Sequence, residues 1–209
     1  NEDGCIELRV NNEKVATTAP VRDHAWHFIA ATYDSKTGEA VLYHEPQIVY
    51  ALDPAIPPVK KKLGVKVENQ KGVPFTVAAY TKALDNSPLA RSSRPAGIVM
   101  SGQYNGKIDS PRLCNKALSR QDIETMKLGS QPGMSERRHC GPTGELAEAI
   151  VGSWDFSDGI NTIIGRDHGP YVFDIQLVNC PTRAMTGHNF TGHNFDWKHA
   201  PKEYGAIHF

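Results

Sequence analysis

An all-β sandwich with one short helix is the fold class that this sequence predicts, and three observations predict it. Short runs of alternating apolar and polar residues recur at roughly even spacing, with turn residues between them. The chain holds 18 Gly and 14 Pro among 209 residues, a content that suits many strands joined by turns. Only one stretch, beginning at Ser119, changes to a helical period.

The elements follow in order. Cys5–Val10 alternates, with Ile6, Leu8 and Val10 on one face; Asn11–Asn12 turns the chain back along Lys14–Thr18 as a β-hairpin. His24–Tyr33 is the strongest strand, aromatic and β-branched, with Trp26, Phe28, Ala30 and Thr32 on one face. A turn over Asp34–Gly38 returns it along Glu39–His44, where Val41 and Tyr43 alternate with Leu42. Asp53–Lys62 carries three Pro and three Lys, which excludes a central strand or a helix interior and predicts a surface loop. Leu63–Glu68 reads as a weak strand and Val73–Tyr80 as a good one, with Pro74 at its start or on an edge. Asp85–Pro95 is a polar loop, and Gly97–Met100 a short apolar strand.

Tyr104–Met126 changes character within itself. A turn at Asn105–Gly106 leads into the short alternating segment Lys107–Leu113, where Ile108 and Leu113 are apolar among charged and small neighbours and Ile108 is expected to contact the core. Ser119 then suits an N-cap, because its hydroxyl can accept from a free first-turn amide, and Asp122 stands at the reciprocal capping-box position. Ile123 and Met126 follow at helical spacing, and Gly129 can end the helix. Gly129–Gly144 reads as a long exposed connection, Ile150–Phe156 as a strand with Trp154 and Phe156 facing one way, and Asp158–Gly169 as a loop. Val172–Val178 alternates as a half-buried strand. Asn179–Phe209 is irregular and aromatic, contains the tandem repeat TGHNF at 186–190 and 191–195, and ends in a strand-like Ala206–Phe209. Residues 1–180 are therefore expected to form the sandwich, with 181–209 leading toward a following domain. Both ends lie close to strand patterns, which suggests a piece of a longer polypeptide.

Composition bounds the function classes. Lys plus Arg and Asp plus Glu number 23 each, so no net field exists to collect a polyanion, and no nucleic-acid partner is expected. No apolar run approaches the ~18 residues of a spanning helix, so no membrane partner is expected. Cys5, Cys114, Cys140 and Cys180 are widely spaced and form no CxxC pair; two disulfides are possible by count, but a chain this long needs no staples, and free buried thiols are the expectation.

Two resemblances add to this reading. WHFIAATYD (26–34), GEAVLYHEP (38–46) and YNGKIDSPRLCNKALSRQDI (104–123) resemble the laminin-G-like, concanavalin A-like jelly-roll superfamily, with its Trp-led strand, its G-x-I-D strand and its helix opening on ALS. This implies the jelly-roll form of the sandwich, and little about activity, because many functions share that fold. AIVGSWDFSDGINTIIGRDHG (149–169), LVNCPTRAMTGHN (177–189) and DWKHAPKEYGAIHF (196–209) look like the large subunits of the N,N-dimethylformamidase family. That resemblance implies a parent enzyme that hydrolyses dimethylformamide to dimethylamine and formate. It also implies a mononuclear iron held by tyrosine and glutamate, a cytoplasmic location, and partners in the rest of the large subunit, a small subunit and other large-subunit copies. It maps no iron ligand securely onto this chain; Tyr204 is the one late tyrosine near the C-terminus.

No catalytic, cofactor-binding or metal-ligating residue is assigned from sequence. His188, His193, His199 and Asp196 form the densest set of ligand types, but their spacing fits no helical metal motif, and a loop packed over Phe190, Phe195 and Trp197 is the favoured reading. Asn105, Asp109, Asp155 and Asp158 suggest calcium at a sheet rim, although turn-forming roles explain each of them. No G-x-S-x-G elbow appears, and the acids Glu7 and Glu39 stand alone on their strands, where solvent-facing charge is expected rather than a glycosidase pair. Trp26, Trp154 and Trp197 could stack on sugars in a carbohydrate-binding or adhesion module, possible with Ca²⁺; Trp26 and Trp154 are expected in the core instead. The expected role is therefore that of a non-catalytic domain serving packing and subunit assembly.

Overall fold

The computed structural model describes residues 1–21, 24–46, 52–64, 67, 74–84, 98–128, 145–187 and 205–209. In chain order the strands are β1 (Cys5–Val10), β2 (Glu13–Pro20), β3 (Phe28–Asp34), β4 (Glu39–Glu45), β5 (Val59–Lys62), β6 (Tyr80–Leu84), β7 (Ile98–Ser101), β8 (Lys107–Ile108) and β9 (Arg112–Cys114). Two short helices follow, α1 (Arg120–Leu128) and α2 (Glu145–Glu148), and then β10 (Ile150–Ser153), β11 (Ile164–Gly165), β12 (Ile175–Gln176), β13 (Thr182–Met185) and β14 (Ala206–His208). The chain is all-β with antiparallel pairing, and no helix of the described residues is long and apolar enough to cross a membrane. It divides into one unit of Asn1–Glu68 with Arg112–Gly152 and a second of Asn69–Pro111 with Ser153–Phe209.

The first unit is built around β4. The turn predicted at Asp34–Gly38 forms: Gly38 N donates to Asp34 O at 2.8 Å, and Leu63 N to Gly38 O at 2.8 Å. Gly38 has φ of 74°, and a Cβ there would lie 2.5 Å from Leu63 O, so only glycine fits. β3 and β5 flank β4, which makes it the middle of a three-stranded sheet, and Ala40–Glu45 are all buried. On one face Val41 and Tyr43 meet Leu52, Ile123, Phe28 and Ala30. On the other, Ala40 meets Val15, Leu63, Leu8 and Tyr33, so the β1–β2 hairpin covers that side. Alternation on β4 therefore separates two apolar layers rather than a core face from a wet one.

α1 covers the first face, and its start is the capping box expected from sequence. Asp122 N donates to Ser119 Oγ at 3.1 Å, and Asp122 Oδ2 accepts Ser119 N at 3.0 Å. The Ser119 hydroxyl, which donates to Asp122 Oδ2 at 2.8 Å, and after it the Ser119 amide hold the Asp122 carboxyl below its ordinary range. At the other end Arg112 Nη1 donates to Met126 O at 2.8 Å, supplying an orphan carbonyl with a cation. Met126 packs with Leu146 and Ile150, which joins α1, α2 and β10 into a third cluster.

Several expectations change. α2 is a second helical turn where one helix was expected; Leu146 anchors it. The predicted loop Asp53–Lys62 contains β5, and the weak strand at Leu63–Glu68 does not extend over Leu63–Gly64. The prolines exclude only its first part, and three lysines are compatible with an edge strand, which they protect from further pairing. β3 begins at Phe28, two residues after Trp26. The strand read at Val73–Tyr80 begins instead at Tyr80: Ala78 has φ of 65° and Thr76 Oγ1 donates to Ala79 O at 2.6 Å, a turn that breaks the ladder. Within Asn179–Phe209, read as irregular, Thr182–Met185 is a strand, whereas Ala206–His208 is the strand expected at the end of the sequence.

In the second unit β14 is the middle of a sheet with β13 and β8, and Ala206 and Ile207 are fully buried. Ile207 pairs with Ile108, the residue expected to point inward. β6 pairs with β7, and the two-residue strands β11 and β12 pair over Phe156. Phe156 and Ile175 press on Gly165, where an added Cβ would lie 2.9 Å from Ile175. The predicted strand Val172–Val178 is reduced to Ile175–Gln176, because Val172 has φ of 55° and leaves the extended region.

Candidate functional site

The densest chemistry among the described residues lies in Ser153–Ala184 of the second unit. Its centre is Asp167, which is 7% exposed. The carboxylate accepts three backbone amides: Oδ1 takes Ser153 N at 2.8 Å and Gly169 N at 2.7 Å, and Oδ2 takes Phe173 N at 2.7 Å. Asp174 Oδ1 in turn accepts Asp167 N at 2.9 Å. A buried carboxylate so used replaces a missing ladder, since it satisfies amides that β11 and β12 are too short to reach.

Trp154 stands beside it. The indole N–H donates to Phe173 O at 2.9 Å, and its ring stacks on Phe75 with centroids 5.5 Å apart. Phe173 is thus held at N by Asp167 and at O by Trp154. That clamp fixes the loop from Gly169 to Phe173, whose Tyr171, Val172 and Phe173 are 54%, 70% and 53% exposed. Tyr171 and Phe173 stack on each other at 5.6 Å.

Arg183 is the second hub. Its Nη1 donates to Gly159 O, Thr162 O and Ile164 O at 3.1, 3.2 and 2.8 Å, and its Nη2 to Phe156 O and Asp158 O. The loop 156–164 is wrapped around this guanidinium. Burial lowers its pKa from the ordinary arginine value, while the Asp158 and Asp155 charges act the other way. Above it lies an open groove of about 360 Å³ lined by Ile160, Ile163, Leu177, Cys180, Pro181 and Arg183 among others. Asn179, Cys180 and Ala184, on or beside its wall, all have positive φ.

The residues singled out in the sequence are dispersed. His188, His193, Asp196, Trp197, His199 and Tyr204 lie outside the described residues. Asn105 is exposed; Asp109 accepts the Ser110 hydroxyl at 2.8 Å, and Asp155 accepts Ser157 N and Oγ, both turn roles. Asp158 Oδ2 lies 3.8 Å from His168 Nε2, too far for a hydrogen bond. Among the described residues there is no group of three or more His, Cys, Asp or Glu that could hold a metal ion. Trp154 is buried as expected, and Trp26 only half-buried. Glu39 is exposed, but Glu7 is not: its side chain is 6% exposed and pairs with Arg9 and, at 3.3 Å, with Lys14. Arg9 first, and Lys14 with it, hold that carboxyl below its ordinary range. Cys5, Cys114 and Cys180 are free thiols, the first two half-buried and the last exposed; Cys140 lies outside the described residues. Burial pushes the Cys114 thiol upward.

Neither Asp167 nor Arg183 stands out in the sequence. Asp167 stands in the polar run Gly165–Gly169 between Arg166 and His168, and Arg183 between Thr182 and Ala184, so neither interrupts an apolar pattern that would mark it.

No family model matches the chain. It is 26% identical over 228 residues to the beta subunit of N,N-dimethylformamidase from Alcaligenes sp, and 28% identical over 224 residues to that of Paracoccus aminophilus. Both matches cover 100% of this chain and 27% of the relative, so the chain spans about a quarter of the length of the curated relatives it matches. Along its whole length, therefore, this chain is homologous to a stretch of the N,N-dimethylformamidase beta subunit.

Proposed function

We propose that this chain is a non-catalytic, laminin-G-like jelly-roll part of the large subunit of a dimethylformamidase-like amidohydrolase, and that it serves packing and subunit assembly. The observation that carries the reading is the similarity along the full chain to the beta subunits of two such enzymes. The described residues are consistent with a structural role: the charges of buried Asp167 and half-buried Arg183 bond backbone groups. Cleavage of dimethylformamide to dimethylamine and formate, with its iron, then belongs to polypeptide outside these residues. The carbohydrate-binding reading loses Trp154 as a stacking platform, because its ring is in the core. The test is direct. The purified chain, with and without added ferrous or ferric iron, should release no dimethylamine from dimethylformamide, and sustained turnover by it alone would overturn the proposal.

A further inference from the structure

The pair Asn105–Gly106 lies in the connection from β7 to β8, and neither unit uses it for packing. It is the one Asn–Gly step in the sequence, and Asn105 is exposed. Both sides of the pair are pinned. Tyr104 N donates to Ala78 O at 2.7 Å, and Gly106 O accepts Phe209 N at 3.1 Å. Among the described residues the Gly106 amide itself donates to no acceptor. By contrast Gly4, which follows Asp3, donates its amide to Asn1 O at 3.0 Å. The Tyr104 ring lies against Gly106, where an added Cβ would be 2.5 Å from it, so packing requires glycine here. Glycine has a chemical consequence too. With no side chain to crowd an approach, its nitrogen is open to the Asn105 carboxamide. Closure between them makes a five-membered ring, an intramolecular attack with a high effective concentration.

We propose that Asn105 is a site of spontaneous deamidation that rebuilds the main chain beside β8. Gly106 N gives up its proton to solvent base and attacks Asn105 Cγ. The new C–N bond closes an imide while the Cγ–Nδ2 bond breaks, and Nδ2 leaves as ammonia. Water then opens the imide at either carbonyl and gives aspartate or isoaspartate, with no change of oxidation state. Either product adds one negative charge. Isoaspartate alone also routes the main chain through the side-chain methylene, which lengthens it by one atom between the Tyr104 and Gly106 anchors. Both anchors are hydrogen-bonded and the Tyr104 ring blocks one side of Gly106, so the extra atom must release one of the two bonds. The change is felt at the end of the β8–β14 ladder, next to the pairs His208–Lys107 and Ile207–Ile108.

Ageing the purified chain under native conditions at mildly alkaline pH tests this. Ammonia should be released and an acidic form should grow on ion exchange. Peptide mapping should place isoaspartate at position 105, where an isoaspartate-specific methyltransferase labels it. Asn105→Gln, whose carboxamide would have to close a six-membered ring, should remove that acidic form. Hydrogen exchange then separates charge from length. The isoaspartate form should exchange faster than the parent at Tyr104 or Phe209, whereas Asn105→Asp, with the charge but no extra atom, should match the parent at both. Three results would overturn the proposal: a folded chain that keeps Asn105 while the chain in urea loses it, an Asn105→Gln chain that acidifies at the same rate, or an isoaspartate form as protected as the parent at both amides.

Discussion

The two units solve the same problem in opposite ways. In the first, seven-residue strands pair in long register, so backbone groups satisfy one another and side chains are free to make apolar layers on both sides of β4. In the second, β8, β11 and β12 are two residues long, and charged side chains stand where ladders are missing: Asp167 for amides and Arg183 for carbonyls. The lesson is that the polar accounting of a loop-rich unit must close through side chains when strands cannot close it. One unit should therefore be fragile to lost volume and the other to lost charge.

Asp167→Ala is expected to be the most damaging change, destabilising the chain by about 4 kcal/mol, because three part-buried backbone amides lose one charged acceptor together. Urea unfolding reads the loss, and amide exchange should rise at Ser153, Gly169 and Phe173 first. Protection at those amides equal to that of the parent chain would break the contrast. Leu42→Ala comes next. Leu42 is 1% exposed in the middle strand, and the cavity should cost about 3 kcal/mol, with exchange rising along β3 and β4.

The smallest effect is in pH. His44, 7% exposed, lies 2.8 Å from His27 through Nε2 and Nδ1, and its ring also bonds the Ala19 carbonyl. Burial first, and the neighbouring imidazole second, lower its pKa below the ordinary histidine value. The folded state therefore binds fewer protons than the unfolded one. Stability from this group is complete above the unfolded pKa of about 6.5 and declines as pH falls from there toward the folded value. Urea midpoints from about pH 8 to about pH 5 should show that decline, and His44→Gln should flatten it. An unchanged slope would remove His44 from the account.

These contrasts also mark what the sequence could reveal. The α1 cap was legible because Ser119 and Asp122 bond each other three residues apart, and the β3–β4 hairpin because its alternation is continuous and its turn needs Gly38. β12 was misread because the same alternation in Val172–Val178 is overridden at Val172, where the clamp on Phe173 holds the chain out of the extended region. Asp167 reaches Ser153, 14 residues away, and Arg183 reaches Phe156, 27 residues away, so no local pattern announces either. Glu7 hides for a related reason: its alternate position promises solvent, but Arg9 and Lys14 close over it.

Arg183 has one more consequence. Five main-chain oxygens converging on a cation resemble the coordination of a bound ion, except that this ion is tethered by its own backbone. Its local concentration is set by the chain and not by the medium, so dilution cannot strip it from the loop. The planar fork also suits oxygens spread over nine residues in a way that the point charge of lysine does not. A truncation at Arg183 should leave an empty crown of carbonyls, and free guanidinium at low concentration is the natural guest to refill it.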